Sequence, residues 1–306
     1  MLEVAIVGDR GSGKTTFLGL LYAAQVRSGS DRTDAFRFHT TYESLEEITV
    51  LFQRLMSGSF PNAATKEGIR EIRFKVGFRK PKLGVLSLPR SRRWTDDAFT
   101  TLRFTLLRNL DEEVLRVVKG SSSGYGPLRD TLDGDVAVIL VDSTKLAPKG
   151  EDPGPRPMEK YDGHVELLLT AIQRWRQRGG RDTLHPIFVF SKFDLVKTEV
   201  LHAADIEATP PEAAKRGPRT AYAEALLKDN LPKTLAKVQG GHRERLQFAK
   251  SRHVFSSVRT EAAAAGQGER IHLRRIDGAG WEPDYSRVEY LALLECLSDI
   301  ANRTKG

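Results

Sequence analysis

The chain has 306 residues, of which 40% are hydrophobic and 29% are charged, and this composition excludes a disordered protein. The formal net charge of +8 permits anionic partners such as nucleotides, but the basic residues are spread along the chain without a nucleic-acid-binding motif. No apolar run approaches the roughly 20 residues of a membrane span, and the single cysteine, Cys296, fits a reducing cytoplasmic setting without an internal disulfide.

Segments with strand-like and helix-like patterns alternate in the first half of the chain. The sequence begins directly with a strand pattern, so we expect no signal peptide. A hairpin is indicated where an alternating segment is followed by "KPK" and a second apolar run. In chain order we predict a buried strand at 2–8, helices from 14 and over 42–58, the hairpin strands 69–79 and 83–89, and a helical region over 92–119.

The second half continues the alternation. We predict buried strands in "DVAVILVDS", "HPIFVFS" and "RHVFSSV", with helices at about 162–178 and 286–303. The remaining segments are interpreted as a helical insertion at about 203–250 and flexible loops at about 120–130, 147–160 and 260–285. This order predicts one α/β domain over residues 1–306, with three layers, helical insertions and a mostly parallel sheet.

The segment "GDRGSGKT" matches the phosphate-loop pattern G-x-x-x-x-G-K-[ST] without a gap. It lies between a predicted strand and a predicted helix, where backbone amides and a helix N-terminus attract phosphate. We expect Lys14 to reach the β- and γ-phosphates and the Thr15 hydroxyl to bind Mg²⁺. The predicted nucleotide-binding residues of this segment are Gly8, Asp9, Arg10, Gly11, Ser12, Gly13, Lys14, Thr15 and Thr16.

The segment "SKFD", Ser191 to Asp194, follows the predicted strand "HPIFVF" and indicates the base. A carboxylate at Asp194 can accept two hydrogen bonds from the ring N–H and exocyclic amine of guanine, whereas adenine presents the opposite pattern. The alkyl part of Lys192 can cover the base. These residues favour guanine over adenine.

The order of these motifs resembles the Ras-like (TRAFAC-class) P-loop GTPases, in a divergent prokaryotic branch. The phosphate loop matches the family closely, and "SKFD" matches its [N/T]-K-x-D box with serine in the first place. The resemblance implies the P-loop NTPase fold with one antiparallel strand. It also implies that Ser256 and Ser257 occupy the family's fifth box, which contacts the guanine oxygen through the backbone.

The same resemblance implies two further boxes. A threonine of the mobile loop before the second strand would bind Mg²⁺ and act in catalysis, and Thr65 is the candidate. The D-x-x-G box would fall at Ser87-Leu88-Pro89-Arg90, where both the aspartate and the glycine are replaced. Arg10 lies where an arginine could help hydrolysis, block a partner's arginine or simply face solvent.

Three functions remain open at this point. The first is a guanine-nucleotide switch that binds GTP or GDP with Mg²⁺, hydrolyses GTP slowly because of the degenerate box, and presents a nucleotide-dependent surface to a protein partner. The second is a pseudo-GTPase scaffold that holds the nucleotide without turnover. The third is a P-loop ATPase in which Asp142, after "VAVILV", would hold Mg²⁺.

Overall fold

The structure is a computed structural model. It describes residues 2–26, 36–40, 42–61, 71–78, 98–107, 110, 131–148, 156–178, 183–240, 247–262, 269–276 and 280–303. Thr65, the segment Ser87–Arg90 and the predicted loop at 120–130 lie outside the described residues.

The elements follow the α/β order that the sequence predicts. The described strands are β1 (Leu2–Gly8), β2 (Phe36–Thr40), β3 (Glu71–Phe78), β4 (Ala98–Leu106), β5 (Val136–Asp142), β6 (Thr183–Ser191), β7 (Gln247–Phe248), β8 (Arg252–Phe255), β9 (Thr260–Ala262), β10 (Glu269–Ile271), β11 (Leu273–Ile276) and β12 (Gly280–Pro283). The described helices are α1 (Lys14–Val26), α2 (Tyr42–Met56), α3 (Glu159–Arg178), α4 (Thr198–Ala203), α5 (Arg216–Asn230), α6 (Pro232–Gln239) and α7 (Arg287–Arg303).

One large sheet organises these elements. Its order is β2-β3-β4-β1-β5-β6, and both β7 and β8 pair with β6. The strands β4, β1, β5, β6 and β8 form a parallel group of five. Strand β3 runs antiparallel to both of its neighbours, β2 and β4. The prediction of a mostly parallel α/β sheet with an antiparallel strand is confirmed.

The central strands are buried on both faces, as parallel strands in α/β proteins are. In β5, Val138 and Leu140 join a cluster with residues of α1, α2 and α7, whereas Ile139 and Val141 join a second cluster with residues of α3, α5 and α6. All seven residues of β1 and of β5 are buried. The helices therefore form a layer on each face of the sheet.

Two predictions about the elements are wrong. Residues 98–106, expected to be helical, form β4, which pairs with β1 and β3. The other predicted hairpin strand, 83–89, lies outside the described residues. Residues 260–285, expected to be a loop, contain two short antiparallel pairs, β9 with β10 and β11 with β12.

The segment 203–250, predicted as a helical insertion, contains α5 and α6 and the short strand β7. Its apolar side chains belong to the second cluster, and Lys233 and Thr234 donate their amides to the Asp162 carboxylate of α3, at 2.9 and 2.8 Å. The segment is therefore packed on the sheet rather than separate from it.

Among the described helices, none is long and apolar enough to cross a membrane.

Candidate nucleotide site

The candidate residues gather at one edge of the sheet. The phosphate loop follows β1, the turn 143–145 follows β5, "SKFD" closes β6, and Ser256 follows β8. The pairing registers place Asp142 beside Ser191 and Phe190 beside Phe255, so these strand ends are level. Ligands of open α/β sheets bind in the crevice beyond the carboxyl ends of the strands. The fold thus brings the predicted phosphate and base motifs to the same edge.

The phosphate loop is a tight turn between β1 and α1. The Ser12 amide donates to the Asp9 carbonyl at 3.2 Å, and the first helical hydrogen bond runs from the Phe17 amide to the Gly13 carbonyl at 2.8 Å. Gly11 and Gly13 have φ angles of 79° and 82°, which side chains other than glycine disfavour. The amides that precede Phe17 lie at the open N-terminal end of α1, the arrangement that attracts anions.

Lys14 lies folded over the loop. Its Nζ donates to the Gly8 carbonyl at 2.6 Å and to the Asp9 carbonyl at 2.9 Å. Burial lowers the pKa of Lys14 to about 8, against the opposing attraction of Asp9. A phosphate group beside Nζ would favour the charged ammonium. The lysine is held where it can exchange carbonyl acceptors for phosphate oxygens.

The loop around Ser12 is closely packed and offers a buried hydroxyl to an anionic ligand. The Ser12 side chain is 1% exposed, and its Oγ has no hydrogen-bond partner within the described part of the chain. A Cβ at Gly8 would lie 2.5 Å from Ser12 Oγ, so this glycine is required where β1 enters the loop. The Thr15 hydroxyl, in the first turn of α1, supplies the oxygen type that Mg²⁺ prefers. The residues present therefore fit a magnesium-bound nucleotide phosphate.

Asp9 pairs with a lysine that the sequence analysis did not identify. Its Oδ2 accepts a short hydrogen bond from Lys145 Nζ, and its Oδ1 accepts from the Arg10 amide at 2.7 Å. Partial burial raises the pKa of Asp9, but Lys145, the Arg10 amide and Lys14 outweigh that effect and leave the pKa below its ordinary value. Arg10 itself is exposed. The loop is thus tied to the turn that follows β5.

That turn is organised by Asp142. Its Oδ1 accepts hydrogen bonds from the Thr144 amide at 3.2 Å and the Thr144 hydroxyl at 2.7 Å, which caps the 3₁₀ turn Ser143–Lys145. Its Oδ2 accepts from Lys192 Nζ at 2.8 Å. The Asp142 side chain is 2% exposed, so its carboxylate is committed to these protein contacts.

The predicted base motif, Ser191–Asp194, begins at the last residue of β6. Ser191 is buried, and its hydroxyl donates to the Val141 carbonyl at 3.3 Å. Lys192 has a φ of 53°, in the left-handed region, which turns the chain sharply after the strand. Asp194 is exposed, and its Oδ1 accepts a long hydrogen bond of 3.4 Å from the Val258 amide. An open groove of about 510 Å³ adjoins Asp194, lined also by Ser257, Tyr285 and Ser286.

Ser256 and Ser257 follow β8 beside this motif. The Ser256 amide donates to the Phe190 carbonyl at 2.8 Å, and its hydroxyl lies 2.5 Å from the Tyr290 hydroxyl. The Ser257 amide donates to Ser286 Oγ at 3.0 Å. A guanine oxygen bound by either amide would have to replace one of these hydrogen bonds, so the role of the two serines remains a prediction.

The identity of β4 bears on the prediction of the third box. The resemblance places that box after the second strand of the antiparallel pair, and the partner of β3 is β4, which ends at Leu106. The sequence that follows is "LRNLDEE", which contains no D-x-x-G. Leu107 there is buried, and its amide donates to the Ile6 carbonyl at 2.9 Å. The segment Ser87–Arg90, which the resemblance assigns to this box, precedes β4 and lies outside the described residues, so that assignment stays a prediction.

Within the described residues, no group of three or more histidine, cysteine or carboxylate side chains could hold a metal ion. A magnesium ion in this part of the protein would depend on the Thr15 hydroxyl and on phosphate oxygens.

Neither protein-family models nor curated proteins give a match to the chain. The functional argument therefore depends on the geometry of the site.

Proposed function

We propose that the protein has the P-loop NTPase fold and binds GTP and GDP with Mg²⁺ at the edge formed by β1, β5, β6 and β8. The observation that carries this proposal is the loop between β1 and α1. It combines two glycines in the left-handed region, a helix N-terminus and the ammonium of Lys14 on two loop carbonyls. These are the features with which backbone amides and a lysine hold a polyphosphate.

Guanine is the proposed base because of Asp194. The side chain is exposed beside an open groove, and its hydrogen bond from the Val258 amide is long, so the carboxylate can accept further hydrogen bonds from a ligand. A carboxylate placed there can accept from both N–H groups of guanine. Adenine offers a ring acceptor at that place, which would face the carboxylate without a hydrogen bond.

Weak or partner-dependent hydrolysis is proposed because the complete D-x-x-G pattern of the third box is missing, with serine and arginine in place of the aspartate and the glycine at Ser87–Arg90. Neither Ser87–Arg90 nor the segment after β4 supplies D-x-x-G. The protein would then act as a switch that presents a nucleotide-dependent surface to a protein partner, with Lys14, Arg10 and Thr65 as the proposed catalytic residues. The same missing box favours a second candidate, a scaffold that holds the nucleotide without turnover.

The ATPase alternative receives less support. It requires Asp142 to hold Mg²⁺ or one of its waters, but that carboxylate already accepts hydrogen bonds from Lys192 and Thr144. Magnesium binding there would leave Lys192 without its partner and uncap the following turn. Guanine-nucleotide binding needs neither change.

The proposal is tested by calorimetric titration of the protein with GTP, GDP and ATP in Mg²⁺. We expect GTP and GDP to bind at least about tenfold more tightly than ATP, a difference of ~1.4 kcal/mol. The Lys14→Ala variant should lose affinity for all three nucleotides, whereas Asp194→Ala should lose the preference for guanine. If Lys14→Ala binds the nucleotides as tightly as the wild type, the proposed phosphate site is contradicted. A preference of the wild type for ATP would contradict the assignment of the base. Turnover of GTP by the wild-type protein, lost in Lys14→Ala, separates the switch from the scaffold.

A further inference from the structure

A carboxylate lies within the proposed phosphate loop, and a second lysine neutralises it. Asp9 follows Gly8 directly, and a negative charge there repels the phosphates of a nucleotide. Lys145 Nζ hydrogen-bonds to Asp9 Oδ2, although the two residues are 136 positions apart in the chain. The fold therefore places the positive charge of Lys145 beside Asp9, the residue of the loop whose negative charge opposes phosphate binding.

The pair is not a buried structural bridge. The side chains of Lys145 and Asp9 are each 35% exposed, and such pairs contribute little to the stability of a fold. The contact nevertheless ties the loop to the turn Ser143–Lys145. Asp142, which caps the same turn, pairs with Lys192 of the base motif. One short turn thus contacts both halves of the proposed nucleotide site.

We propose that Lys145 is a positioning residue for the nucleotide, because it neutralises Asp9 and holds the phosphate loop against the turn after β5. The inference rests on the proposed function and adds to it a residue that acts through Asp9 rather than on the nucleotide itself. Its effect increases with the charge of the ligand, since the uncompensated carboxylate repels GTP more than GDP.

The experiment compares the affinities of variants for GTP and GDP in Mg²⁺ by titration calorimetry. Lys145→Ala should bind GTP about tenfold more weakly than the wild-type protein, with a smaller loss for GDP. Lys145→Arg, which keeps the charge, should bind like the wild type. The double variant Asp9→Asn with Lys145→Ala should bind GTP with an affinity within about twofold of the wild type, since the carboxylate that Lys145 neutralises is gone.

A matched control removes a lysine elsewhere. Lys215 is 61% exposed and pairs with Glu212 at 3.7 Å, so Lys215→Ala makes the same change in net charge without touching the loop. It should leave both affinities unchanged. Raising the ionic strength from about 0.05 to 0.5 M should reduce the difference in GTP affinity between Lys145→Ala and the wild type, because salt screens a partly exposed carboxylate.

Three results would overturn the inference. A double variant as weak as Lys145→Ala would assign Lys145 to direct phosphate contact or to the fold. An unchanged affinity of Lys145→Ala, with tight binding by the wild type, would overturn the inference and leave the proposed function intact. A wild-type protein that binds neither GTP nor GDP would overturn both.

Discussion

Gly8 shows how closely the phosphate loop is fitted to the sheet. A Cβ at this residue would lie 2.5 Å from Ser12 Oγ, 3.0 Å from Leu140 Cβ and 3.3 Å from Lys14 Cγ. Ser12 and Leu140 are almost fully buried, so neither can move away without disturbing its neighbours. The absence of a side chain at Gly8 therefore sets the path of the loop and the place of Lys14.

We expect Gly8→Ala to lower the free energy of unfolding by about 1–3 kcal/mol through overpacking and to weaken GTP binding. Gly163→Ala in α3 is the matched control, because among the described residues no atom outside the neighbouring turns of its own helix lies within 4 Å of a Cβ at that residue. The control should be stabilised by about 0.5–1 kcal/mol, since alanine is the better helix former. Urea unfolding and nucleotide titration of both variants measure these effects. Wild-type stability and affinity in Gly8→Ala would contradict the close fit.

At the scale of elements, β4 shows what the sequence could not decide. Leu102, Leu106 and Leu110 have the spacing of a helix face, whereas Leu102, Phe104 and Leu106 have the spacing of one face of a strand. Pairing with β1 and β3 selects the strand, and Leu102, Phe104 and Leu106 are all buried in the first cluster. Whether residues 98–106 form a helix or a strand therefore depends on pairing with residues far away in the sequence. The short strands β9 to β12 have three or four residues each, too few for a clear period.

The outer edge of β8 is closed by an ion pair between two helices. Arg219 of α5 donates to the His253 carbonyl at 2.9 Å and pairs with Glu289 of α7. Glu289 in turn accepts from the Phe255 amide at 2.9 Å. The Arg219 and Glu289 side chains are 5% and 15% exposed. This pair satisfies backbone groups at an edge that would otherwise be open to another strand.

We expect Arg219→Met to lower the free energy of unfolding by about 3–5 kcal/mol, because it leaves the Glu289 carboxylate buried without its partner. Adding Glu289→Gln should recover part of the loss, since the neutral amide costs less to bury. Arg259→Met serves as the control. That guanidinium side chain is 71% exposed and lies 3.9 Å from Asp284, so the change should stay within about 0.5 kcal/mol. Chemical denaturation measures all three variants, and equal losses in Arg219→Met and Arg259→Met would contradict the role of the edge pair.

At the scale of the whole molecule, the site divides into parts that are contiguous in the chain and parts that the fold assembles. The loop from Gly8 to Thr15 and the segment Ser191–Asp194 are short runs whose chemistry depends on neighbouring residues, so sequence reasoning could find them. Lys145 meets Asp9 across 136 positions, and no local pattern marks either residue as half of a pair. The only signal was the place of Lys145, just beyond a strand that ends at the same edge.

His253 connects the stability of the whole protein to pH. Burial, together with the charges of Arg219 and Arg252, lowers the pKa of His253 from 6.5 to about 4 in the folded protein. Its ring stacks on Phe188 with a centroid distance of 5.9 Å, within the layer between the sheet and the helices. Between pH 6.5 and about 4, the unfolded chain therefore binds a proton that the folded protein does not. This difference makes the folded state less stable as the pH falls through that range, and it has no effect above it.

We expect His253 to account for about 3 kcal/mol of lost stability between pH 6.5 and 4. The His253→Gln variant keeps a polar side chain beside Ser251 but cannot titrate. Its free energy of unfolding should therefore fall less steeply over this range than that of the wild type. The titration of carboxylates contributes equally to the pH dependence of both proteins. Urea unfolding at pH 4.5, 5.5, 6.5 and 7.5 measures the two slopes. Parallel slopes would mean that His253 accepts a proton as readily in the folded protein as in the unfolded chain.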